Sequence, residues 1–408
     1  MTIEVILRAV QVLLKLSTVY FAVIALLALK KPAGFAKATP KTRFACLIAA
    51  RNEEAVIGET VAALLAQNYP GALFDVWVIP NNCTDGTEQA ARQAGAQIFQ
   101  CPLPVRCKGD ALRQAIGWLL PRDYDAFCVF DADNFVHPDF LAQMNDAFCG
   151  GAQVCKAALR AKNAYESWVS GCYGLYFTGF DWFFSRARMN CGLSSKLVGT
   201  GFAVSRQVLL ETGGWCTETI AEDAEFSAQC AARNIRVWFV PEAITYDEGP
   251  QSMAVSLRQR QRWCSGVMDV ADRVRGTLLR RLGKPGGRKA LDSLLVLHTP
   301  WFSALSLMLG LVLTLVDPRP VSRETLRSTL LLLPCAWLLC SVAAGFLALL
   351  GQYRDRRIWK AIALFPLFMA AWTPLQLISL VHRTRSWKPI AHTGAGRISE
   401  QAGLSRQE

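Results

Sequence analysis

The chain has 408 residues, 52% of them apolar, and a formal charge of +12. The apolar excess gathers at the two ends, which excludes an ordinary soluble globule and points to a membrane protein with a soluble middle. Fourteen cysteines without CxxC pairs or zinc spacing argue against a disulfide framework and predict free thiols in a reducing compartment.

The first apolar segment runs from about Val5 to Leu29, broken by Arg8 and Lys15. It lacks a short core followed by a small-residue cleavage site, so residues 1–31 read as an uncleaved anchor rather than a signal peptide. Lys15 can snorkel toward the headgroups. Lys30, Lys31, Lys37, Lys41 and Arg43 follow at once, which by the positive-inside tendency puts the middle of the chain in the cytosol.

Residues 43–283 alternate strand-like and helix-like patterns. "RFACLIAA" reads as a buried strand and "EEAVIGETVAALLAQ" as a helix. "FDVWVIP" and "AQIFQCP" are further strands, with the helix "GTEQAARQAG" between them. The helix "KGDALRQAIGWLL" then leads into a fourth strand, "AFCVFD". Such alternation predicts an α/β domain with a mainly parallel sheet, covered by helices on both faces, whose ligands gather at the carboxyl ends of the strands.

Residues 290–384 hold three apolar runs, Leu294–Val316, Leu330–Leu350 and Ala361–Val381. Each approaches the ~20 residues a bilayer-spanning helix needs. Pro300, Pro334, Pro366 and Pro374 suggest kinks or segment ends. Four full spans would put the polar tail 385–408 outside, whereas its bases favour the cytosol. One segment is therefore open to a re-entrant or interfacial reading, and His298 with Pro300 makes the first of the three the best candidate.

The strand-end loops carry the chemistry. "DADN" places Asp131 and Asp133 behind a buried strand, where two carboxylates need compensation; Mg²⁺ or Mn²⁺ held with substrate phosphates supplies it. Solvated turn acids are the plainer alternative. "ARNEE" and "PNNCTDGT" bring Asn52, Glu53 and Asn81 to strand ends, equally compatible with ordinary turn chemistry. Lys108 opens a helix whose free N–H groups suit an anion. Gly199, Thr200 and Gly201 leave room for a ligand beside the backbone. Glu222 and Asp223 start another helix, where acids also simply complement the dipole.

The series "LIAARNEE", "NNCTDGT", "KGDAL", "VFDADN", "VGTGFAV", "AEDAEF" and "QRQRW" resembles the membrane-bound family-2 glycosyltransferases of GT-A fold, among them cellulose, chitin, hyaluronan and poly-N-acetylglucosamine synthases and several glycolipid-forming enzymes. The resemblance spans about Phe44 to Gly266. It implies that Asp131 and Asp133 bind a nucleotide-sugar diphosphate through a divalent cation. Asp223 resembles the general base, with Glu222 beside it. Gln259 and Arg262 are expected at the diphosphate and Trp263 beneath the acceptor sugar. Asn52, Glu53, Asn81 and Lys108 fall in the nucleotide-facing loops. The family usually has an aspartate facing the uracil where this chain has Asn81, and Ala221 replaces the threonine before the "ED".

These residues imply a multi-pass plasma-membrane enzyme with a cytosolic catalytic domain. It would move a sugar from a nucleotide sugar, a UDP-sugar foremost, to an acceptor hydroxyl with inversion, giving a β-linkage. Polysaccharide synthesis leads, with a glycolipid-forming transferase second and a non-catalytic membrane scaffold remote. The basic residues lie beside apolar segments, where anionic headgroups account for them, so nucleic acid is not expected as a partner. Arg258 and Arg260 read as the membrane-facing remainder of "RQRQRW", and "RVRGTLLRRLGKPGGRK" as a surface helix lying on the bilayer.

Overall fold

The computed structural model describes residues 2–30, 34–316 and 323–384; the expected polar tail 385–408 lies outside them. Helix α1 (Thr2–Leu26) leads to the α/β domain. Its first strands and helices follow the sequence pattern: β1 (Phe44–Ala50), α2 (Ile57–Leu65), β2 (Phe74–Pro80), α3 (Thr87–Gln93), β3 (Gln97–Ile98), α4 (Lys108–Leu119) and β4 (Ala126–Phe130). Only β3 falls well short of expectation. It lies at the sheet edge and pairs just two residues, with Trp77 and Val78.

Alternation explains why these strands are apolar throughout. Phe44, Cys46 and Ile48 of β1, with Val76, Val78, Cys128 and Phe130, enter the core on one face. Ala45, Leu47, Trp77, Ile79, Phe127 and Val129 enter a second core on the other face. A parallel sheet covered on both sides needs both sets.

The rest of the domain comprises β5 (Phe135–Val136), α5 (Phe140–Cys149), β6 (Val154–Ala161) and α6 (Trp168–Gly179). The last of these runs on through a π-helical stretch (Phe180–Arg186) into α7 (Ala187–Asn190). Then come β7 (Phe202–Ser205), α8 (Arg206–Thr212), α9 (Glu222–Ala232), β8 (Val237–Asp247) and α10 (Met253–Leu279). The strands form one sheet in the order β3-β2-β1-β4-β7-β6-β8-β5. Strands β1 to β4 are mutually parallel, as are β6 and β8, whereas β7 runs antiparallel to both β4 and β6.

Four apolar helices close the chain: α11 (Gly287–Val316), α12 (Arg323–Leu350), α13 (Ile358–Ala370) and α14 (Trp372–Val381). Among the described residues, four stretches are helical, long and apolar enough to cross a membrane: Leu7–Leu29, Gly287–Gly310, Leu332–Leu350 and Ile358–Val381. The last is divided at Ala371, because Pro374 has no N–H for the carbonyl of Ala370. The basic run after "RQRQRW" is not one surface helix. Helix α10 stops at Leu279, a turn follows, and α11 begins at Gly287.

Two buried arginines join these helices to the domain. Arg188 of α7 makes a bidentate pair with Asp292 of α11, at 2.9 and 3.0 Å, and Asp292 also accepts a hydrogen bond from Tyr20 of α1 at 2.9 Å. Arg260 is 1% exposed. Its guanidinium lies 4.0 Å over the Phe368 ring and donates to the Phe368 carbonyl at 2.7 Å. Arg260 is therefore a clamp between α10 and α13, not the membrane-facing residue expected from its charge.

Candidate active site

A cavity of about 380 Å³ opens at the carboxyl ends of β1, β2 and β4 and reaches α11 and α14. Glu53, Asn81, Lys108, Asp131, Asp133, Gly199, Glu222, Asp223, Gln259, Arg262 and Trp263 all line it. Asn52, Thr200 and Gly201 do not, and each shapes the loops behind it. Asn52, at φ 58°, accepts from the backbone N–H of Thr84 at 2.8 Å, joining the loops after β1 and β2. The Thr200 hydroxyl accepts from the Asp131 N–H at 3.1 Å and donates to Asn134. Gly201 sits at φ 62°, where a Cβ would collide with Thr245.

The DADN turn is held from several sides. The Asn134 side chain accepts from the Asp131 N–H at 3.1 Å, and the Thr60 hydroxyl hydrogen-bonds the Ala132 carbonyl at 2.6 Å. Lys108 donates to Asp131 at 2.5 Å and to the Gly199 carbonyl at 2.8 Å. Burial pulls the Lys108 ammonium down, but Asp131 and Glu222 outweigh it and hold it above its ordinary value.

Carboxylates crowd this end of the cavity. Burial, then Asp133 and Asp131, push Glu53 up to about 8. Burial and the same two aspartates raise Asp247 well above the carboxylate range. Asp247 accepts from the Tyr173 hydroxyl at 2.6 Å. Such an excess of negative charge fits a divalent cation. Among the described residues no three His, Cys, Asp or Glu side chains form a metal-binding group. A divalent cation bound with substrate takes one or two carboxylates and completes its shell with phosphate oxygens and water, and Asp131 and Asp133 are the pair that would supply them.

Asn81 departs from the aspartate of the resemblance, yet its geometry is definite. Its amide nitrogen donates to the carbonyls of Ala50 at 2.9 Å and Ile79 at 3.2 Å, which leaves the side-chain oxygen as the free acceptor.

Glu222 and Asp223 occupy the first turn of α9, where unpaired N–H groups favour negative charge. Burial and the neighbouring Asp223 raise Glu222 to about 7, against the pull of Lys108. Gln259, Arg262 and Trp263 share one face of α10 by their i, i+3, i+4 spacing. A Cβ at Gly266 would come 2.8 Å from Ala221, so this glycine lets α10 close onto the loop that bears the acids. The Gln259 side-chain oxygen is buried with no partner. The Trp263 ring lies 6.3 Å from Trp372 at 26° and 6.0 Å from Phe177.

Several lining residues were not anticipated. Asp247 and Glu248 stand at the end of β8, and "YDEG" after an apolar strand carried the same signal as DADN. Tyr173, Tyr176 and Phe177 come from α6, and Trp372 and Gln376 from α14. Nothing in their spacing distinguishes them from ordinary core residues. Lys196 also lines the cavity; burial lowers its ammonium, partly offset by Asp223.

A mostly parallel sheet with paired aspartates at its carboxyl edge, closed beneath by an acid-bearing helix and a QxxRW helix, is the layout of a GT-A glycosyltransferase. Residues 40–266 match the family described as glycosyltransferase like family 2, and the chain belongs to that family. It is 31% identical over 243 residues to a β-monoglucosyldiacylglycerol synthase of Synechocystis sp., covering 57% of this chain and 49% of that protein. A β-monoglucosyldiacylglycerol synthase of Nostoc sp. is 30% identical over 291 residues, covering 67% and 59%. A poly-β-1,6-N-acetyl-D-glucosamine synthase of Staphylococcus aureus is 24% identical over 231 residues, covering 55% and 54%. The chain thus spans about half the length of the curated relatives it matches. The fold is shared with a mannosyltransferase of Pyrobaculum calidifontis solved in complex with GDP-Man and Mn²⁺, at a TM-score of 0.60 and 19% identity, covering 89% of this chain and 99% of that one.

Proposed function

We propose that the chain is a membrane-embedded, inverting glycosyltransferase that moves a hexosyl unit from a UDP-sugar to the hydroxyl of a membrane lipid, forming a β-linkage. The observation that carries this reading is the continuity of one cavity from the nucleotide-facing loops, past Asp223, to the apolar helices α11 and α14. The relatives named as diacylglycerol glucosyltransferases support the same acceptor class. In this reading residues 43–283 are the cytosolic catalytic domain, anchored by residues 1–31 and 290–384 in the plasma membrane.

Each residue then has a definite task. The free oxygen of Asn81 accepts the N3–H of uracil, as the usual aspartate would. Asp131 and Asp133 hold Mg²⁺ or Mn²⁺, which when bound neutralises charge on the diphosphate. Arg262 and Gln259, with its unpaired oxygen, meet the diphosphate end of the donor. Asp223 takes the proton of the acceptor hydroxyl, whose oxygen attacks the anomeric carbon from the face opposite the diphosphate. The bond to the diphosphate breaks, UDP leaves with the electron pair, and a single displacement inverts the centre.

The second reading is polysaccharide synthesis, favoured by the Trp263–Trp372 pair, an aromatic floor of the kind on which a sugar stacks. Membranes incubated with a panel of radiolabelled nucleotide sugars separate the two. Label in the organic extract is the expected result, and label confined to high-mass water-soluble product would overturn the lipid acceptor.

A further inference from the structure

The chemistry above uses the strand-end half of the cavity and Trp263, and leaves the polar groups at the opposite end without a task. Val296, Thr299 and Pro300 of α11 and Gln376 of α14 line that end, on helices apolar enough to cross a membrane. Polar groups in such a place are costly unless something pairs with them. Pro300 has no N–H, so the Val296 carbonyl, one turn earlier, lacks its usual helical donor. The Thr299 hydroxyl donates to the Leu295 carbonyl at 3.1 Å, so its oxygen keeps only accepting capacity. The Gln376 side chain makes no hydrogen bond among the described residues.

The set is thus two acceptors and one amide that both donates and accepts. It complements a head that carries free hydroxyls and ester or ether oxygens. The cations that line the cavity, Lys108, Lys196 and Arg262 among them, come from other elements, and among the described residues α11 and α14 themselves bring only uncharged polar groups to it. We propose that Gln376, Thr299 and the Pro300-released carbonyl of Val296 form the head-group subsite for a neutral, hydroxyl-bearing membrane lipid. The lipid's chains would lie along α11 and α14 and its hydroxyl would point toward Asp223. This assignment rests on the lipid-acceptor reading above.

The test uses the full-length protein in mixed micelles with 1,2-dioleoylglycerol as acceptor probe and the donor found in the panel. Gln376→Leu raises the KM for dioleoylglycerol about tenfold, the worth of one buried hydrogen bond, while UDP affinity in Mn²⁺ stays as in the parent. Gln376→Glu keeps the shape should the leucine variant fail to fold, and it too raises that KM. Pro300→Ala returns an N–H to the Val296 carbonyl. It raises Tm yet weakens acceptor use, a pairing that a purely structural proline would not give. Lipid product from the parent with unchanged acceptor KM in the variants overturns the subsite alone. Absence of labelled lipid from the parent, with polymer formed instead, overturns the lipid-acceptor reading itself.

Discussion

The two halves of the cavity are built on opposite plans. The strand-end half is a cluster of carboxylates set in short loops with Lys108 among them, where Asp131 and Asp133 lie close enough to Glu53 and Asp247 to raise both. The other half is largely aromatic and aliphatic, contributed by α6, α10, α11 and α14, with Thr299 and Gln376 as uncharged polar groups on the last two helices. Charge organises the first and burial the second. The proposed reaction, between a charged, water-borne donor and an apolar acceptor, would use this asymmetry, with the proton-accepting group on the dividing line. In that proposal Asp223 takes the place, lining the cavity beside Glu222 within electrostatic reach of Lys108.

The sharpest way to break this division is at the line itself. Asp223→Asn keeps the shape and removes the base, so turnover falls about 10³-fold while UDP affinity in Mn²⁺ is unchanged. Near-normal turnover would remove the proton-accepting role. One step into the charged half, Asp133→Asn weakens Mn²⁺-dependent UDP binding by about 10²-fold and leaves metal-free UDP binding alone. Calorimetry with and without Mn²⁺ distinguishes the two, and an equal loss in both would mean that Asp133 serves the loop rather than a cation. On the apolar side, Trp263→Ala removes the ring packed between Phe177 and Trp372. Transfer to acceptor drops about tenfold while donor hydrolysis in the absence of acceptor persists. Equal loss of both activities would contradict a division into donor and acceptor halves.

The same contrast explains what could be read from the sequence. Loops after buried strands compress several functional groups into a few residues, so DADN and "ARNEE" announced the charged half, and "YDEG" would have done so had the eighth strand been followed. The apolar half has no such local signature. Tyr173, Trp263 and Trp372 are some two hundred residues apart at the extremes and meet only because α6, α10 and α14 pack together. Each by itself is an aromatic residue in an apolar helix. Arg260 shows the limit most clearly. In a basic run beside apolar segments its charge suggested a headgroup partner, and only the tertiary packing reveals Phe368 as the partner.

The smallest effect concerns protons and cuts across both halves. Glu53 stands at about 8 and Glu222 at about 7, against an ordinary value of 4.5. Burial is the first cause of both, followed by neighbouring aspartates. A carboxyl whose folded value is raised holds its proton more tightly in the native state. The resulting stability is full below about pH 4.5 and is lost as pH rises through 7 and 8. Without divalent cation or nucleotide, Tm should therefore fall between pH 5 and pH 8. A cation held, as proposed, by Asp131 and Asp133 would compensate the charge that raises Glu53, so Mn²⁺ with UDP should flatten that slope and release protons on binding. Thermal unfolding across this pH range, with and without Mn²⁺ and UDP, reads both effects. A flat metal-free profile would mean that the carboxylates are far better solvated than their burial implies. A slope indifferent to Mn²⁺ and UDP would place the cation elsewhere and dissolve the electrostatic contrast between the two halves.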